Sequence, residues 1–426
     1  MSNSDNKNES PVLRDFFDAA VAAVAGDNAT RNALQYYSAE NVHVIAIGKA
    51  AASMMHGAMD ALGTRMIRAL VISKHQHIDA SLKNDDRCEC IESAHPVPDG
   101  RSLEAGLHLQ QFLQGLPNDS YLLVLISGGA SSLVESLLPE LSLKDLQRVN
   151  RYLLSAGLDI NVMNAVRKSL SLIKGGRLAN FLGSQATLQL LISDVPGDAL
   201  GSIGSGLLIQ PTTVDIPFKF ADTLPLWLQD YQRGSSSAPD CDSPIWSQIV
   251  SQIIASNEMA CCAAADCARS MGFVVRQDNG ILTGDVRNMA LMISQTLTNP
   301  DLSNGIYIWG GETTVLLPES PGRGGRNQQL ALQLVKEMQT RTAGTKTNNT
   351  RWQALCCGTD GSDGPTSDTG GLVDNNTFTT GEQLGLDIEQ YLVNANAGEY
   401  LQITGALVTT GPTGTNVMDL VIALKT

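Results

Sequence analysis

The stretch that most constrains the fold is Tyr121–Leu133, with the sequence YLLVLISGGASSL. Six apolar or aromatic residues follow one another, and the chain then turns at Ser127, Gly128 and Gly129. A continuous apolar run of this length that ends in glycine is typical of a strand buried on both faces. Glycine permits positive φ and a close approach to a ligand, so the turn predicts an anion site built from backbone N–H groups.

The same pattern recurs along the chain. Predicted apolar strands end in polar, glycine-bearing turns at Lys49, Ser127, Asp194, Asp360 and Gly411. Helical patterns follow several of them, and strands that alternate with helices imply a mostly parallel sheet with helices on its faces. Ligands bind beyond the carboxyl ends of the strands in such sheets, so we expect the turns to form one or two clefts. The predicted fold class is therefore α/β.

Individual segments carry more detailed predictions. Ser142, followed by Asp145, predicts a capping box at the start of a helix. Val162–Gly175 is predicted to be a second helix, which ends at the glycine. Ile249–Ser270 is predicted to be helical throughout, and Ile306–Leu317 to be a hairpin that turns at its two glycines.

The length of 426 residues favours two domains. The segment Arg233–Ser243 (RGSSSAPDCDS) has the composition of a linker, which divides the chain into residues 1–245 and 246–426. The last predicted strand, Gly405–Thr410, could return to the first domain. The polar N-terminus is predicted to be a disordered tail, since it resembles neither a signal nor a transit peptide.

Composition excludes several classes of partner. The net charge of −14 argues against nucleic acid and anionic membrane surfaces as general partners. Apolar runs fall short of the ~18 residues that a membrane span needs. The eight cysteines form no C-x-x-C pair, a pattern that favours reduced thiols in a cytoplasmic protein. An anionic small substrate would need cationic groups gathered locally around its site.

Lys49 and Arg326 stand where a cation is unfavourable. Each lies at or just before the start of a predicted helix, where the positive end of the macrodipole disfavours positive charge. One explanation is that both point into solvent at a small cost. The other is a bound anion, which the helix N–H groups and the side chain would share. Because two such cases occur on one chain, we favour the anion.

Carboxylates occur in several of the same turns, at Asp194, Asp198, Asp360, Asp363 and Glu312. One or two carboxylates together with phosphate oxygens can hold Mg²⁺. Asp is also common in turns because it bonds its own backbone, so each one taken singly is better explained as a turn former.

Other charged residues are candidates for binding substrate. Arg167 could clamp a substrate anion, and His95 beside a proline is a candidate for lining the ligand site. Lys174 and Arg177 are better explained as favourable cations near a helix C-terminus.

A series of short motifs, found in order over nearly the whole chain, is similar to one family. They are Ile47–Ala51 (IGKAA), His95–Asp99 (HPVPD), Ser127–Leu133 (SGGASSL), Val166–Lys168 (VRK), Ile173–Leu178 (IKGGRL), Ser193–Asp198 (SDVPGD), Gly310–Val315 (GGETTV), Gly322–Gln328 (GRGGRNQ), Gly358–Thr366 (GTDGSDGPT) and Gly411–Asn416 (GPTGTN). The chain resembles the class II glycerate kinases, also called the MOFRL-domain family. It departs from the family at Ala130, where many members have glycine, and at Gly206–Leu208, where Gly-Pro-Thr is usual.

The resemblance implies two Rossmann-like three-layer α/β domains with an interdomain cleft, and phosphorylation of D-glycerate to 2-phosphoglycerate with ATP and Mg²⁺. It implies that Lys49 and Arg326 are the catalytic pair. The remaining candidates are Ser127, Gly128, Gly129, Ser131, Ser132, Arg167, His95 and Asn327 for substrate and phosphate, and Asp194 and Asp360 for the metal.

Two other functions stay open. Hydroxypyruvate reductase needs a nicotinamide site, and the G-x-G-x-x-G fingerprint after a strand is missing, as is the G-x-x-x-x-G-K-[ST] phosphate loop. A non-catalytic protein that binds sugar phosphates would use the same fold without releasing ADP. The sequence leaves the assembly undecided, with a homodimer as one option.

Overall fold

The computed structural model describes residues 12–156, 160–211, 225–228, 237–342 and 351–426. The predicted N-terminal tail lies outside these residues, as do part of the predicted linker (233–236) and residues 343–350.

The chain forms two compact units. The N-terminal unit contains Ala25–Ala255 and Gly414–Asn416. The C-terminal unit contains the chain up to Val24, Ser256–Thr413 and Val417–Thr426, so it includes the first helix, α1 (Val12–Ala23). The division into domains at residue 245 stays a prediction.

Helices and strands alternate along the N-terminal unit. Its helices are α2 (Gly26–Ala33), α3 (Ala51–Leu62), α4 (Ala80–Lys83), α5 (Gly100–Gln114), α6 (Ala130–Leu133), α7 (Leu143–Ser155) and α8 (Ile160–Ser169), and its strands are β1 (Val42–Ile47), β2 (Met66–Lys74), β3 (Cys88–Ser93), β4 (Tyr121–Ile126), β5 (Ala186–Ile192) and β6 (Ile249–Ala255). The sheet has the order β3-β2-β1-β4-β5-β6, and each neighbouring pair is parallel. This is the strand order of the doubly wound nucleotide-binding folds.

Both faces of this sheet are buried, which explains the continuous apolar runs of its strands. Ile45 and Ile47 of β1 join one core together with Phe112 of α5. The alternate residues Val44 and Ala46 are buried on the other face, where α3 packs against β1, β2 and β4. The predicted layering of helix, sheet and helix is thus present in this unit.

The sequence predicted two helix ends in this unit, one correctly and one not. The capping box predicted at Ser142 and Asp145 is formed at the start of α7. However, α8 ends at Ser169, so the prediction of a continuous helix over Val162–Gly175 is wrong. Leu170 accepts a hydrogen bond from the backbone N–H of Leu138, which draws the chain away from the helix.

The C-terminal unit contains a second α/β layer structure. Besides α1, its helices are α9 (Asn257–Ser270), α10 (Val286–Thr298), α11 (Arg326–Thr342), α12 (Asn375–Gln383), α13 (Ile388–Val393) and α14 (Ala397–Ile403), and its strands are β7 (Val275–Asp285), β8 (Gly305–Thr314), β9 (Trp352–Gly358), β10 (Gly370–Asp374), β11 (Leu407–Val408) and β12 (Asp419–Lys425). The sheet order is β11-β10-β9-β12-β8-β7. β7, β8, β9 and β11 run in one direction, and β10 and β12 run in the other. The predicted α/β class is confirmed.

Helix α1 belongs to this second sheet because its apolar side is buried there. Leu13, Phe16 and Phe17 are almost fully buried, and α1 packs against α9, β9 and β12. Phe16 meets Phe273 edge to face, with the ring centroids 5.5 Å apart. The segment Gly405–Thr410 also stays in this sheet, where Leu407 and Val408 pair with β10.

Two predicted elements of the C-terminal half are wrong. Ile249–Ala255 is strand β6, and the helix begins only after Ser256, whose side chain caps it at the N–H of Met259. Ile306–Leu317 is not a hairpin, because β8 runs straight through Gly310 and Gly311 while paired on both sides. Glycine is required at position 310 because any side chain would clash: a Cβ there would lie 1.8 Å from Asn257 Oδ1.

No helix in the described part of the chain is long and apolar enough to cross a membrane. Each of the eight cysteines is a free thiol, and Cys261, Cys356 and Cys357 are buried.

Candidate active site

The first group of site residues lies at the carboxyl edge of the parallel sheet. β1 and β4 are neighbours, and the strand order proceeds outward from them in both directions. In open α/β sheets the ligand crevice lies at this switch point, beyond the carboxyl ends of the strands. Lys49 follows β1, and Ser127–Gly129 follow β4. The fold therefore brings together the two turns that the sequence singled out.

Direct hydrogen bonds join these two turns. The Lys49 N–H donates to the Gly128 carbonyl at 2.9 Å, and the Ala50 N–H donates to Ser127 Oγ at 3.0 Å. Gly48 makes this approach possible: its φ is +134°, and a Cβ on it would lie 2.1 Å from Ser127 Oγ. The backbone of Lys49 is thus fixed against the glycine turn.

The glycines of the turn are enclosed by side chains. A Cβ on Gly128 would lie 2.2 Å from Asp194 Oδ2 and 2.5 Å from Asn416 Nδ2. A Cβ on Gly129, whose φ is +85°, would lie 3.1 Å from His95 Nε2 and 3.3 Å from Lys49 Cγ. We call Lys49, His95, Asp194, Asn416 and the Ser127–Gly129 turn the glycine-turn cluster.

Electrostatics link two members of this cluster. Burial raises the pKa of the Asp194 carboxyl, and the positive charge of Lys49 acts in the opposite direction. A cation and a carboxylate beside a glycine turn are groups that a magnesium-bound polyphosphate requires. The residues present therefore fit such a ligand.

The two serines after the turn are partly used within the protein. Ser132 Oγ donates to the Gly129 carbonyl at 3.0 Å, and Ser205 Oγ donates to Ser131 Oγ at 2.8 Å. Both serines are half-buried. Their role in phosphate binding stays a prediction.

The basic residues of the following segment have separate partners. Arg167 is half-buried on α8 and donates from Nε to Asn150 Oδ1 at 3.2 Å, while burial lowers its pKa. Its assignment as a substrate clamp stays a prediction. Lys174 is not a helix C-terminal cation, as the sequence suggested, but forms a buried ion pair with Glu135.

The second group of site residues surrounds the start of α11 in the C-terminal unit. Arg326 donates from Nε to Asp419 Oδ2 at 2.5 Å and from Nη2 to Asp419 Oδ1 at 2.9 Å. Its Nη1 lies 2.8 Å from Glu312 Oε1. Although burial opposes the charge, the hydrogen bonds that Arg326 donates to Asp419 raise the pKa of Arg326 above its ordinary value. Carboxylates of the protein therefore already compensate this cation, so the helix-dipole argument alone does not require a bound anion there.

Asp363 accepts hydrogen bonds from backbone N–H groups in the first turn of the same helix. Its Oδ1 accepts from the Asn327 N–H at 3.1 Å, and its Oδ2 accepts from the Gln328 N–H at 2.8 Å. Burial raises the pKa of Asp363 to about 7. Asn327 is itself buried, and its Nδ2 also donates to Asp363 at 3.3 Å. Substrate binding by Asn327 stays a prediction, since these contacts give it a role inside the protein.

Asp360 forms the local turn that its residue type favours. Its Oδ1 accepts from the N–H and the hydroxyl of Ser362, at 3.0 and 2.9 Å. Among the described residues, no group of three or more His, Cys, Asp or Glu side chains is placed to hold a metal. A magnesium ion held by one carboxylate and phosphate oxygens does not need such a group.

Sequence reasoning gave no role to Asn416 and Asp419. Asn416 belongs to a motif that was recognised, and only the fold brings it to Gly128. Asp419 opens β12, a strand that was not predicted, so nothing local indicated its ion pair with Arg326.

Two family models match the chain. They are Domain of unknown function (DUF4147), over residues 12–231, and the MOFRL family, over residues 305–419. The D-glycerate 2-kinase of Thermotoga maritima is 33% identical over 417 residues, which cover 95% of each chain. The crystal structure of a glycerate kinase from Thermotoga maritima matches with a TM-score of 0.82 at 31% identity, covering 98% of this chain and 99% of that chain.

A protein of Agrobacterium vitis, provisionally named a hydroxypyruvate reductase, is 34% identical and covers 88% of this chain and 97% of its own length. The fold and the matches together define a two-unit α/β enzyme of the kinase type. The chain belongs to the class II glycerate kinase family, which confirms the resemblance seen in its motifs.

Proposed function

We propose that this chain transfers the γ-phosphoryl group of ATP to the 2-hydroxyl of D-glycerate and releases 2-phosphoglycerate and ADP. The observation that carries the proposal is the placement of Lys49 and the glycine turn at the switch point of the first sheet. Family membership supplies the reaction class, and this geometry supplies a site suited to phosphate.

The glycine-turn cluster would bind the polyphosphate. Phosphoryl transfer depends mainly on positioning and on neutralising charge, so fixed N–H groups and one cation are suitable catalytic groups. Lys49 has the required rigidity because its backbone is hydrogen-bonded to Gly128. His95 beside Gly129 would line the same ligand.

Arg326 would supply the second cation, for the glycerate carboxylate or the transferring phosphoryl group. The guanidinium of Arg binds carboxylate or phosphate through paired N–H groups, which favours one orientation of the substrate. Its Nη1 pairs with Glu312, whose side chain is 44% exposed, so a substrate anion can compete for it.

Mg²⁺, when bound, would neutralise the phosphate charges and orient the leaving group. We propose Asp194 as its protein ligand, since its carboxylate lies against Gly128. Asp360 is the weaker proposal, because both contacts to Ser362 engage its Oδ1.

A coupled ADP-release assay with D-glycerate tests the reaction, and ³¹P NMR of the product distinguishes position 2 from position 3. Lys49→Ala and Arg326→Ala should each lower kcat by ~10² or more without unfolding the protein. Matched controls are the exposed Lys144→Ala and Arg287→Ala, the latter also an arginine in the first turn of a helix. If both site variants keep normal turnover, these roles are wrong.

The same preparation tests the alternatives. A reductase would oxidise NADH in the presence of hydroxypyruvate, and a non-catalytic binding protein would bind ligand without releasing ADP. The cytoplasmic location and a homodimer also stay proposals, which cell fractionation and light scattering can check.

A further inference from the structure

Met418 has a backbone conformation that its residue type rarely adopts. Its φ is +68°, in the left-handed region, and it is 5% exposed. For a bulky residue other than glycine this conformation is strained and persists only where the surroundings enforce it. Such strain is concentrated at functional positions, and the residue that follows Met418 is Asp419.

The backbone around Met418 is held from two sides. Thr359, after β9, donates from its hydroxyl to the Met418 carbonyl at 2.7 Å and accepts from the Val417 N–H at 2.9 Å. Asn257, at the start of α9, donates from Nδ2 to the carbonyls of Val417 at 2.7 Å and Asp419 at 3.0 Å. These contacts enforce the strained conformation and fix the point from which the Asp419 side chain extends.

The two carboxylates on Arg326 differ in their surroundings. The Asp419 side chain is 1% exposed, and it engages the guanidinium through both Nε and Nη2. The Glu312 side chain is 44% exposed and lies against Nη1. A buried two-point contact resists displacement, whereas an exposed ion pair contributes little and is readily exchanged.

We propose that Asp419 is a positioning residue for Arg326: it holds Nε and Nη2 so that Nη1 is presented to the substrate anion, which displaces Glu312. The inference rests on the proposed role of Arg326. In this proposal the backbone at Met418, held by Thr359 and Asn257, keeps Asp419 in place, and Glu312 is the partner of Arg326 that the substrate replaces.

A double-mutant cycle separates positioning from a purely structural ion pair. Asp419→Asn should lower kcat by about tenfold or more, because the guanidinium loses its fixed orientation. Lysine cannot form the two-point contact, so in an Arg326→Lys background the same change should lower kcat less than about twofold. Equal losses in both backgrounds would show that Asp419 acts through the fold and would overturn the proposal.

Two further comparisons keep the test decisive if Asp419→Asn folds poorly. Thr359→Val removes the hydroxyl that holds Met418 and should lower kcat several-fold, whereas Thr359→Ser, which keeps the hydroxyl, should not. Glu312→Gln should lower KM for glycerate with little change in kcat, since the competitor for Nη1 loses its charge. A Glu312→Gln variant with reduced kcat and unchanged KM contradicts the exchange.

Different measurements test the proposed function and the positioning role of Asp419. Wild-type ADP release tests the reaction, and Arg326→Lys with normal turnover would remove Arg326 from it. If Arg326→Lys is impaired but Asp419→Asn is as active as the wild type, only the positioning role fails.

Discussion

Ser127 Oγ accepts a hydrogen bond from the Ala50 N–H at 3.0 Å, and this bond ties the end of β4 to the turn that carries Lys49. Ser127 is fully buried, so Ser127→Ala leaves a buried N–H without an acceptor. We expect a loss of about 1–3 kcal/mol in the free energy of unfolding. We also expect kcat to fall by about tenfold, because Lys49 loses its fixed position.

Urea unfolding and ADP release measure these two effects. Ser120→Ala is the matched control, since its hydroxyl bonds the Pro117 carbonyl at 2.7 Å at the opposite end of β4. It should lower stability by about 1 kcal/mol and leave kcat unchanged. Similar kinetic losses in both variants would contradict a specific role for the Ser127 bond.

Gly128→Ala should disturb the glycine-turn cluster. The new Cβ would meet Asp194 and Asn416 at 2.2 and 2.5 Å, so both side chains must move. We expect KM for MgATP to rise and stability to fall by about 1–3 kcal/mol, as for other overpacked sites. Steady-state kinetics and thermal unfolding check this. Gly100→Ala, where a Cβ meets nothing within 4 Å, should change neither.

The buried pair of Glu135 and Lys174 should be strongly coupled in stability. Their side chains are 1% and 3% exposed, and Ser171 Oγ also donates to Glu135 at 2.6 Å. Lys174→Met should cost about 3–5 kcal/mol, because it leaves a buried carboxylate without its counter-charge. In the double variant, Glu135→Gln should restore part of the free energy of unfolding lost by Lys174→Met. A double-mutant cycle based on urea unfolding measures this recovery.

An exposed ion pair gives the control for this cycle. Lys83 and Glu92 lie 2.8 Å apart, but the Lys83 side chain is 44% exposed. Lys83→Met should therefore cost less than about 1 kcal/mol. A Lys174→Met cost no larger than this would contradict the strong coupling.

Asp363 should make stability depend on pH. Burial raises its pKa from 3.8 to about 7, so the folded state holds a proton that the unfolded state releases. The stability from this carboxyl is full at low pH and is lost as the pH rises through about 7. Asp363→Asn removes this titration. Its cost in unfolding free energy should therefore be larger at pH 5 than at pH 8, by about 2 kcal/mol or more.

Urea unfolding of both proteins at the two pH values gives the difference directly. Asp374→Asn is a useful comparison, because Asp374 also caps a helix, by accepting from the N–H groups of Asn376 and Thr377, but is only half-buried. If Asp363→Asn lowers the free energy of unfolding by the same amount at both pH values, the raised pKa of Asp363 is contradicted.

Much of the fold was predictable because its signals are local. The apolar runs of β1, β4, β5 and β9 are long enough for buried strands and end in glycine-bearing turns. The prediction failed where the same local signal has two meanings. Gly310 and Gly311 resemble a turn, yet they make room for Asn257 and for the backbone of Leu282 within a continuous strand.

The candidate site divides in the same way. Lys49 and the Ser127–Gly129 turn could be predicted together, because parallel strands bring their carboxyl ends to one edge. The partners of Arg326 could not, since Asp419 lies 93 positions away along the chain on a strand that pairs antiparallel with β8 and β9.

The sequence by itself determined the α/β class, the turns that carry the site and the family, because apolar periodicity, glycine placement and short motifs are properties of neighbouring residues. Only the tertiary structure decided that α1 packs on the second sheet, that Asn416 reaches Gly128 and that Asp419 pairs with Arg326. These contacts join distant segments, and they depend on which buried surfaces and charges satisfy one another once the sheets have formed.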